Sequence, residues 1–477
     1  MMKKAVITLL GMISHTKLDY ISRDGEVQKI FTDIPEKNRA KYSFSEKLNN
    51  FSTQLTKERY INTLPLLIDG FSDRDIIPVT TQKAKDVQEK TLDFLKLDTA
   101  CLENTVLIDE SNYEEIFQKI SELLQNDDYE SFIIDLTHGF RHLPILMIVN
   151  LIIASIKDVD KIEHIFFAKE IKAFEEYEII DLLDFIGLAK LSFVLENFNS
   201  NYTVGNKLVF KNEKYQDLVD NLRIISGHIL ANSIKTLIEG DESLVEATIK
   251  KLESLQEEDE NIATFSTSIN NIIKHLEKIQ ILKDEKDYIK LFKFSQIMNK
   301  RDYLLNAITL LNESVGMFCA EKIRDINPEI SEEIDKFIVK GEFGMYNLSH
   351  QSKKMLENKF YKDYFLEIFE KRIIMDGLKK QENTQLKDII PKINNLRNNL
   401  AHGNSSEKIE NVKFKIGNFL KEYQKISQIP NDVDIEEKKR QLKKSETITI
   451  KKEKIEHKGI DVPIEQVNDL KKIFNNR

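Results

Sequence analysis

Over its first 180 residues the chain alternates short apolar runs with amphipathic segments, and this rhythm constrains the fold more than any other feature. The runs KAVITLLG (4–11), DIIPVTT (75–81), NTVLID (104–109), SFIIDLTHG (131–139) and IEHIFFAKE (162–170) are rich in strand formers and predict strands. Between the later ones, SNYEEIFQKISELLQN (111–126) has helical spacing. Strands alternating with helices imply βαβ units and a parallel sheet covered by helices on both faces. The expectation is an open Rossmann-like sheet of about five strands, closing near residue 185. LDYISRDGEVQKIF (18–31) reads as an insertion, because two short β-runs flank Asp24-Gly25, a hairpin signal.

Beyond residue 185 the texture turns helical. INNIIKHLEKI repeats Ile269, Ile272, Ile273, Leu276 and Ile279 on one helical stripe, and QEEDEN (256–261) is a charged break before it. RDYLLNAITLLNESVGMFCAEKI (301–323) places Leu304, Ile308, Leu311, Val315 and Phe318 on one face of a long helix. With only 8 Pro and 15 Gly in 477 residues, little interrupts these helices. The expected organisation is an α/β domain (1–185), a helical connector (186–295), an all-α domain (296–427) and a lysine-rich segment (428–477).

Several classes are disfavoured. Two cysteines, Cys101 and Cys319, lie far apart with no CxxC pair, which argues against a disulfide scaffold or structural zinc and fits a reducing cytoplasm. The apolar run Ala5–Ile13 is about half the length of a spanning helix, and LPILMIVNLIIASI (143–156) fits a core helix. A cytoplasmic protein without membrane association is expected. The formal net charge of −9 means that RNA would have to be handled in a local groove rather than by the whole field. Residues 438–458 carry nine Lys/Arg against three Glu; they read as a solvated segment, with an RNA-contacting arm as the alternative.

Two strand ends are unusually polar. After the first run comes Gly11-Met12-Ile13-Ser14-His15, and after the fourth comes Thr137-His138-Gly139-Phe140-Arg141-His142, leading into a helix. In open parallel sheets ligands bind beyond the carboxyl ends of strands. Glycines there allow close backbone approach, hydroxyls bond phosphate or ribose, and Arg141 offers a phosphate fork. A structural turn with surface histidines is the other reading. No GxGxxG or GxxxxGK[ST] is present, which disfavours a dinucleotide or nucleoside triphosphate.

A third polar feature is INNLRNNLAHGNSS (393–406), with Arg397 and His402 five positions apart. Pro391 is placed to open a helix at or near its first position, and Gly403 is placed to close it at His402. Helical residues five apart diverge by about 140°, but termination lets His402 swing toward Arg397. Asn398 and Asn399 are left to contact ligand or orient the pair. Arg223 and His228 have the same spacing in NLRIISGHIL, but β-branched and apolar neighbours mark them as a connector element. An Arg and a His without clustered metal ligands suit RNA cleavage in which the substrate supplies its own 2′-OH. His402 would act as acid or base and Arg397 would stabilise phosphorane charge. Two such pairs across a twofold axis would make a composite site.

Together these features resemble a family, the CRISPR-associated CARF–HEPN ribonucleases of type III systems, which are switched on by cyclic oligoadenylates. RNNLAH matches the HEPN signature late in an all-α domain, and DLTHGFRHLP resembles the ligand loop after the fourth CARF strand. The order of domains is also theirs, over roughly residues 1 to 427. The resemblance implies a homodimer, a cyclic oligoadenylate (tetra- favoured over hexa-adenylate) across two CARF domains, and metal-independent cleavage of single-stranded RNA. It assigns catalysis to Arg397, Asn398 and His402. Ligand binding falls to Gly11, Ser14, Thr137, His138, Gly139 and Arg141, with slow cleavage of the ring by the CARF domain as a further activity. Two other functions stay open. A ligand-sensing transcription regulator would need a basic recognition helix, and 301–427 shows no clear one. A catalytically inactive HEPN binding module would differ only at the Arg/His pair.

Overall fold

Both faces of β1 (Lys3–Leu9) are buried, and this sets the plan of the α/β region. The computed structural model describes residues 3–11, 18–23, 26–31, 39–139, 141–157, 161–205, 208–240, 243–324, 332, 350, 353 and 380–430. Ala5, Ile7 and Leu9 enter one core, while Val6 and the following Leu10 enter the other. A strand buried on both faces needs the near-continuous apolar run that KAVITLLG supplies.

The other described strands are β2 (Leu18–Arg23), β3 (Glu26–Phe31), β4 (Ala40–Phe44), β5 (Arg59–Tyr60), β6 (Asp75–Thr80), β7 (Val106–Leu107), β8 (Tyr129–Asp135), β9 (Ile162–Lys172) and β10 (Glu176–Asp181). Eight form one sheet in the order β5-β4-β10-β9-β8-β1-β6-β7, and its central run β9-β8-β1-β6-β7 is parallel. The chain winds outward from β1 through β6 to β7, then crosses to the other side of β1 for β8 and β9. The reversal lies between β1 and β8, where open sheets leave a crevice at the strands' carboxyl ends. β2 and β3 pair antiparallel as the expected hairpin, though turn residues 24–25 lie outside the described residues.

The five expected strands are the parallel core, but the expected sheet of about five strands is too small. β4, β5 and β10 extend it on the β9 side, with β10 antiparallel to β9 and β4 parallel to β10. β4 alternates Ala40, Tyr42 and Phe44 inward with Lys41 and Ser43 outward. At five residues such an alternation is too short to stand out in the sequence, and its partner β10 is more than 130 residues away.

Helices cover both faces. α1 (Asn49–Ser52), α2 (Thr63–Gly70) and α3 (Gln82–Leu95) pack Phe51, Leu64, Leu67 and Leu92 on the face of Val6 and Ile133. α4 (Tyr113–Leu124) and α5 (His142–Ile156) pack Ile116, Ile120, Leu143 and Met147 on the face of Ile7 and Ile134. α5 differs from the core helix expected over 143–156: one face is buried, but Ile145 (63% exposed), Val149 and Ile153 stand open on the other.

The remaining helices are α6 (Leu183–Asn201), α7 (Glu213–Leu230), α8 (Ile234–Ile238), α9 (Leu244–Glu258), α10 (Glu260–Ala263), α11 (Ser266–Gln280), α12 (Asp287–Lys300), α13 (Leu304–Arg324), α14 (Lys380–Ala401) and α15 (Ile409–Ser427). The chain divides into two units, one of Met1–Asn199, Thr203–Arg223 and Ser254–Ile269, the other of Ser200–Tyr202, Ile224–Glu253 and Asn270–Arg477. The expected connector is therefore shared between them. The predicted stripes of α11 and α13 are buried throughout. In the second unit α12, α13, α14 and α15 pack together. Tyr423 of α15 sets its ring edge-on to Phe292 and Phe318 and donates its hydroxyl to the Ser314 carbonyl at 3.0 Å, so its burial leaves no orphaned polar group.

Pro391 does not open a helix as expected; it lies inside α14. A proline in a helix interior removes one backbone bond and costs about 3 kcal/mol. Leu386, Ile389, Ile390, Ile393 and Leu396 are all buried on either side of it. At about 1.5–3 kcal/mol per fully buried aliphatic side chain, that stripe outweighs the proline. Among the described residues no helix is long and apolar enough to cross a membrane. Residues 431–477, which hold most of the lysine-rich segment, lie outside the described residues.

Candidate functional site

At the reversal between β1 and β8, one carboxylate joins three other chain segments. Asp135 ends β8 and is 1% exposed. It accepts hydrogen bonds from Thr8 Oγ1 of β1 (2.8 Å), Thr63 Oγ1 at the start of α2 (2.6 Å) and the Thr137 amide of the following loop (3.1 Å). Strand alternation dictates this meeting: Asp135 shares a face with Ile133, the face that α2 and α3 cover. Around it the bonds continue. Asn62 caps α2 by accepting from the Leu64 amide (3.1 Å) and donates to Gln88 Oε1 of α3 (3.1 Å). Gln88 in turn donates to the Gly11 carbonyl (3.2 Å). Thr137 Oγ1 accepts from the Ala168 amide of β9 (3.0 Å).

The two strand-end loops touch through their glycines. A Cβ on Gly11 would lie 3.2 Å from the Gly139 backbone, and Gly139 has φ +108°, a conformation that side chains disfavour. His138 is half-buried and receives the Thr63 amide at Nε2 (3.4 Å). Burial lowers its pKa, against the opposing pull of Asp135. The ring is therefore neutral at pH 7, accepts at Nε2 and carries its proton at Nδ1. Arg141 is exposed immediately before α5, where a guanidinium can grip phosphate. Fixed hydroxyls, amides and an imidazole around a close-approach backbone suit an anionic ligand rich in hydrogen-bonding groups.

The second site is the carboxyl end of α14. The Asn404 amide donates to the Asn399 carbonyl (2.9 Å) and the Gly403 amide to the Leu400 carbonyl (3.4 Å), with Gly403 at φ +67°. This is a Schellman cap with His402 as the last half-helical residue, so the helix stops where Gly403 predicts. The His402 amide still donates to the Asn398 carbonyl (3.0 Å), which keeps its backbone on the helical screw. Arg397 and His402 thus lie about 140° apart around the axis and about 7.5 Å apart along it. The expected swing toward Arg397 is left to the side chain alone. Arg397 is half-buried and donates Nη1 to Asn398 Oδ1 (3.0 Å). His402 is exposed, and among the described residues no hydrogen bond or ion pair engages its ring.

No protein-family model matches the chain, and no curated protein matches it.

Of the residues singled out in the sequence, the fold gathers Gly11, Thr137, His138, Gly139 and Arg141 at one strand end; Ser14 lies outside the described residues. Arg397, Asn398 and His402 share the last turns of α14. Arg223 and His228 lie on the uninterrupted α7. Arg223 pairs with Asp220 and donates Nη2 to the Leu208 carbonyl (3.0 Å), tethering the preceding segment. Thr8, Asn62, Thr63, Gln88 and Asp135 were not singled out. One signal was available, a lone Asp closing the apolar SFII, which is costly unless hydrogen bonds await it.

Proposed function

We propose that the protein is a homodimeric endoribonuclease of type III CRISPR antiviral defence, gated by a cyclic oligoadenylate and cleaving single-stranded RNA without a metal. The observation that carries this reading is the capped end of α14. It presents a His ring that engages none of the described residues, beside an Arg on the preceding turns, in the segment that matches the HEPN signature. His402 moves the proton of the attacking 2′-OH or of the leaving 5′-oxygen, and Arg397 stabilises the phosphorane oxygens. Asn398 orients the Arg397 guanidinium. Because the two side chains diverge on one helix, the active centre is composite, with a second α14 supplying the facing pair.

The regulatory ligand binds at the sheet reversal. Gly11 and Gly139 let its phosphates approach the backbone, Thr137 and His138 bond ribose or base, and Arg141 pairs with phosphate. The open stripe of Ile145, Val149 and Ile153 supports dimerisation. From Leu143 to Ile156, α5 contains no charged residue, and a stripe on one helix complements itself about a twofold axis. Since α5 begins beside the loop, pairing the two copies of α5 brings two ligand loops around one symmetric ring.

The test combines purified protein, labelled RNA, EDTA and a panel of cyclic oligoadenylates. Cleavage should depend on the ring, with four adenylates preferred over six, should survive EDTA and should leave 2′,3′-cyclic phosphate and 5′-OH ends. Thr137→Ala and Arg141→Ala should raise the activator concentration required. Activity abolished by EDTA, or 5′-phosphate products, rejects the mechanism. Ring-dependent DNA binding without cleavage favours the regulator, and ring binding without either favours an inactive module. The ring itself should be cut slowly by in-line attack of its own 2′-OH near Thr137 and His138; a ring intact after prolonged incubation excludes that step.

A further inference from the structure

β9 outlasts its neighbour on one side. Its parallel pairing with β8 ends at Asp135 opposite Phe166, whereas its antiparallel pairing with β10 continues to Lys172. The last bonds on the β8 side run from the Leu136 amide to the Phe166 carbonyl (2.9 Å) and from the Ala168 amide to Thr137 Oγ1 (3.0 Å). On the β10 side the Ile165 carbonyl accepts from the Leu182 amide (2.8 Å). Strand alternation fixes the rest. Phe166, Ala168 and Glu170 turn their backbone groups toward β8, and Ile165, Phe167 and Lys169 turn theirs toward β10. The register shift in the β9–β10 ladder falls after the Glu170–Tyr177 pair, so it leaves this alternation intact.

Past Thr137 that edge is open. The Glu170 N–H lies on it between the carbonyls of Ala168 and Glu170, and among the described residues no hydrogen bond engages these three groups. Residues 169–172 are exposed. The Glu170 carboxylate is turned back to the hairpin, where it accepts from the Phe174 amide (2.9 Å) and the Tyr177 hydroxyl (3.3 Å). Because the Thr137 hydroxyl pins the ligand loop to this strand, the open edge stands directly beside the pocket at the sheet reversal. A bare strand edge is a row of donors and acceptors that proteins ordinarily cover or blunt.

We propose that this edge reads the adenine bases of the regulatory ring. The inference rests on a cyclic oligoadenylate binding at the sheet reversal, and it adds the source of base specificity. The Glu170 N–H donates to an adenine ring nitrogen, N1 or N7, and the adjoining 6-amino group donates to a flanking carbonyl. Adenine sets an acceptor nitrogen beside an amino donor, whereas guanine carries an oxygen in place of that amino group. The recognition is made by backbone, so no side-chain motif announces it.

The experiment measures binding of cyclic tetra-adenylate to the full-length protein by calorimetry, alongside rings built from 1-deazaadenine and from 7-deazaadenine. Glu170→Pro removes the N–H. That group makes no ladder bond and Lys169 is already extended, so the ribbon should keep its fold. Glu170→Ala loses the same carboxylate but keeps the N–H. It should bind the adenylate ring like the wild type, while Glu170→Pro should bind it roughly tenfold more weakly, the scale of a lost hydrogen bond. One deaza ring should bind the wild type weaker by a similar factor, and Glu170→Pro should bind that ring and its parent alike. Equal binding by Glu170→Pro and Glu170→Ala overturns the proposal. So does wild-type binding of both deaza rings at the parent affinity, a comparison that holds even if Glu170→Pro misfolds. A wild type that binds no ring rejects the ligand reading itself, and this inference with it.

Discussion

At the sheet reversal, Asp135 is joined by hydrogen bonds to β1, α2 and its own loop, whereas at the end of α14 the exposed His402 ring engages none of the described residues. The first arrangement is finished within the chain: its polar groups satisfy one another and their geometry is held from several elements. The second presents an exposed ring that makes no hydrogen bond or ion pair with any described residue. A preorganised pocket should therefore couple binding to stability, and an open helix end should couple its residues to activity alone.

The sharpest way to break this contrast is Asp135→Ala. The change strands the hydroxyls of Thr8 and Thr63 and the Thr137 amide around a buried gap. Removing one partner of a buried charged network costs about 3–5 kcal/mol. Urea unfolding should show a loss of that order, and a loss below about 1 kcal/mol would mean that the network is not structural.

His402→Ala should behave in the opposite way. Unfolding should shift by no more than about 0.5 kcal/mol, as for other exposed substitutions. RNA cleavage should fall on the order of a hundredfold or more. Arg397→Ala should match it, and the double variant should be little worse, because the two act as a unit. His228→Ala is the control and should cleave nearly normally. If His228→Ala is inactive while His402→Ala cleaves, the active pair has been assigned to the wrong helix.

A smaller effect is expected at Gly403, where φ is +67° and a Cβ would meet nothing within 4 Å. Alanine there pays only for the left-handed backbone, about 1–2 kcal/mol. If the cap sets the posture of His402, cleavage should fall along with stability, while Gly403→Asn, which tolerates that conformation better, should recover both. Activity unchanged in Gly403→Ala would detach the cap from the chemistry.

Legibility in the sequence follows the same contrast. The end of α14 was readable because a C′ glycine acts within a few residues of the helix it stops. The core strands and the stripes of α11 and α13 were readable because burial repeats with a fixed period. Pro391 misled because its local preference for a first turn yields to a stripe buried by tertiary packing. The network around Asp135 was legible only in part. Thr137, His138 and Gly139 follow it directly, but Asn62, Thr63 and Gln88 come from 47 or more residues away and meet it only once the sheet is wound. No spacing rule encodes such a meeting.

The smallest predicted effect is a pH dependence of stability carried by His138. His138 accepts the Thr63 amide at Nε2, and burial outweighs the nearby Asp135 in lowering its pKa. The unfolded chain takes up that proton near pH 6.5, but the folded chain does so only at lower pH. The unfolded state therefore binds more protons in that window, and stability falls as the pH drops below about 6.5. Above it the contribution of His138 is fully present. His138→Gln keeps an acceptor for Thr63 without titrating, so it should lose less stability than the wild type between pH 7 and pH 5. Parallel pH profiles for His138→Gln and the wild type would show that His138 is not held neutral by the fold.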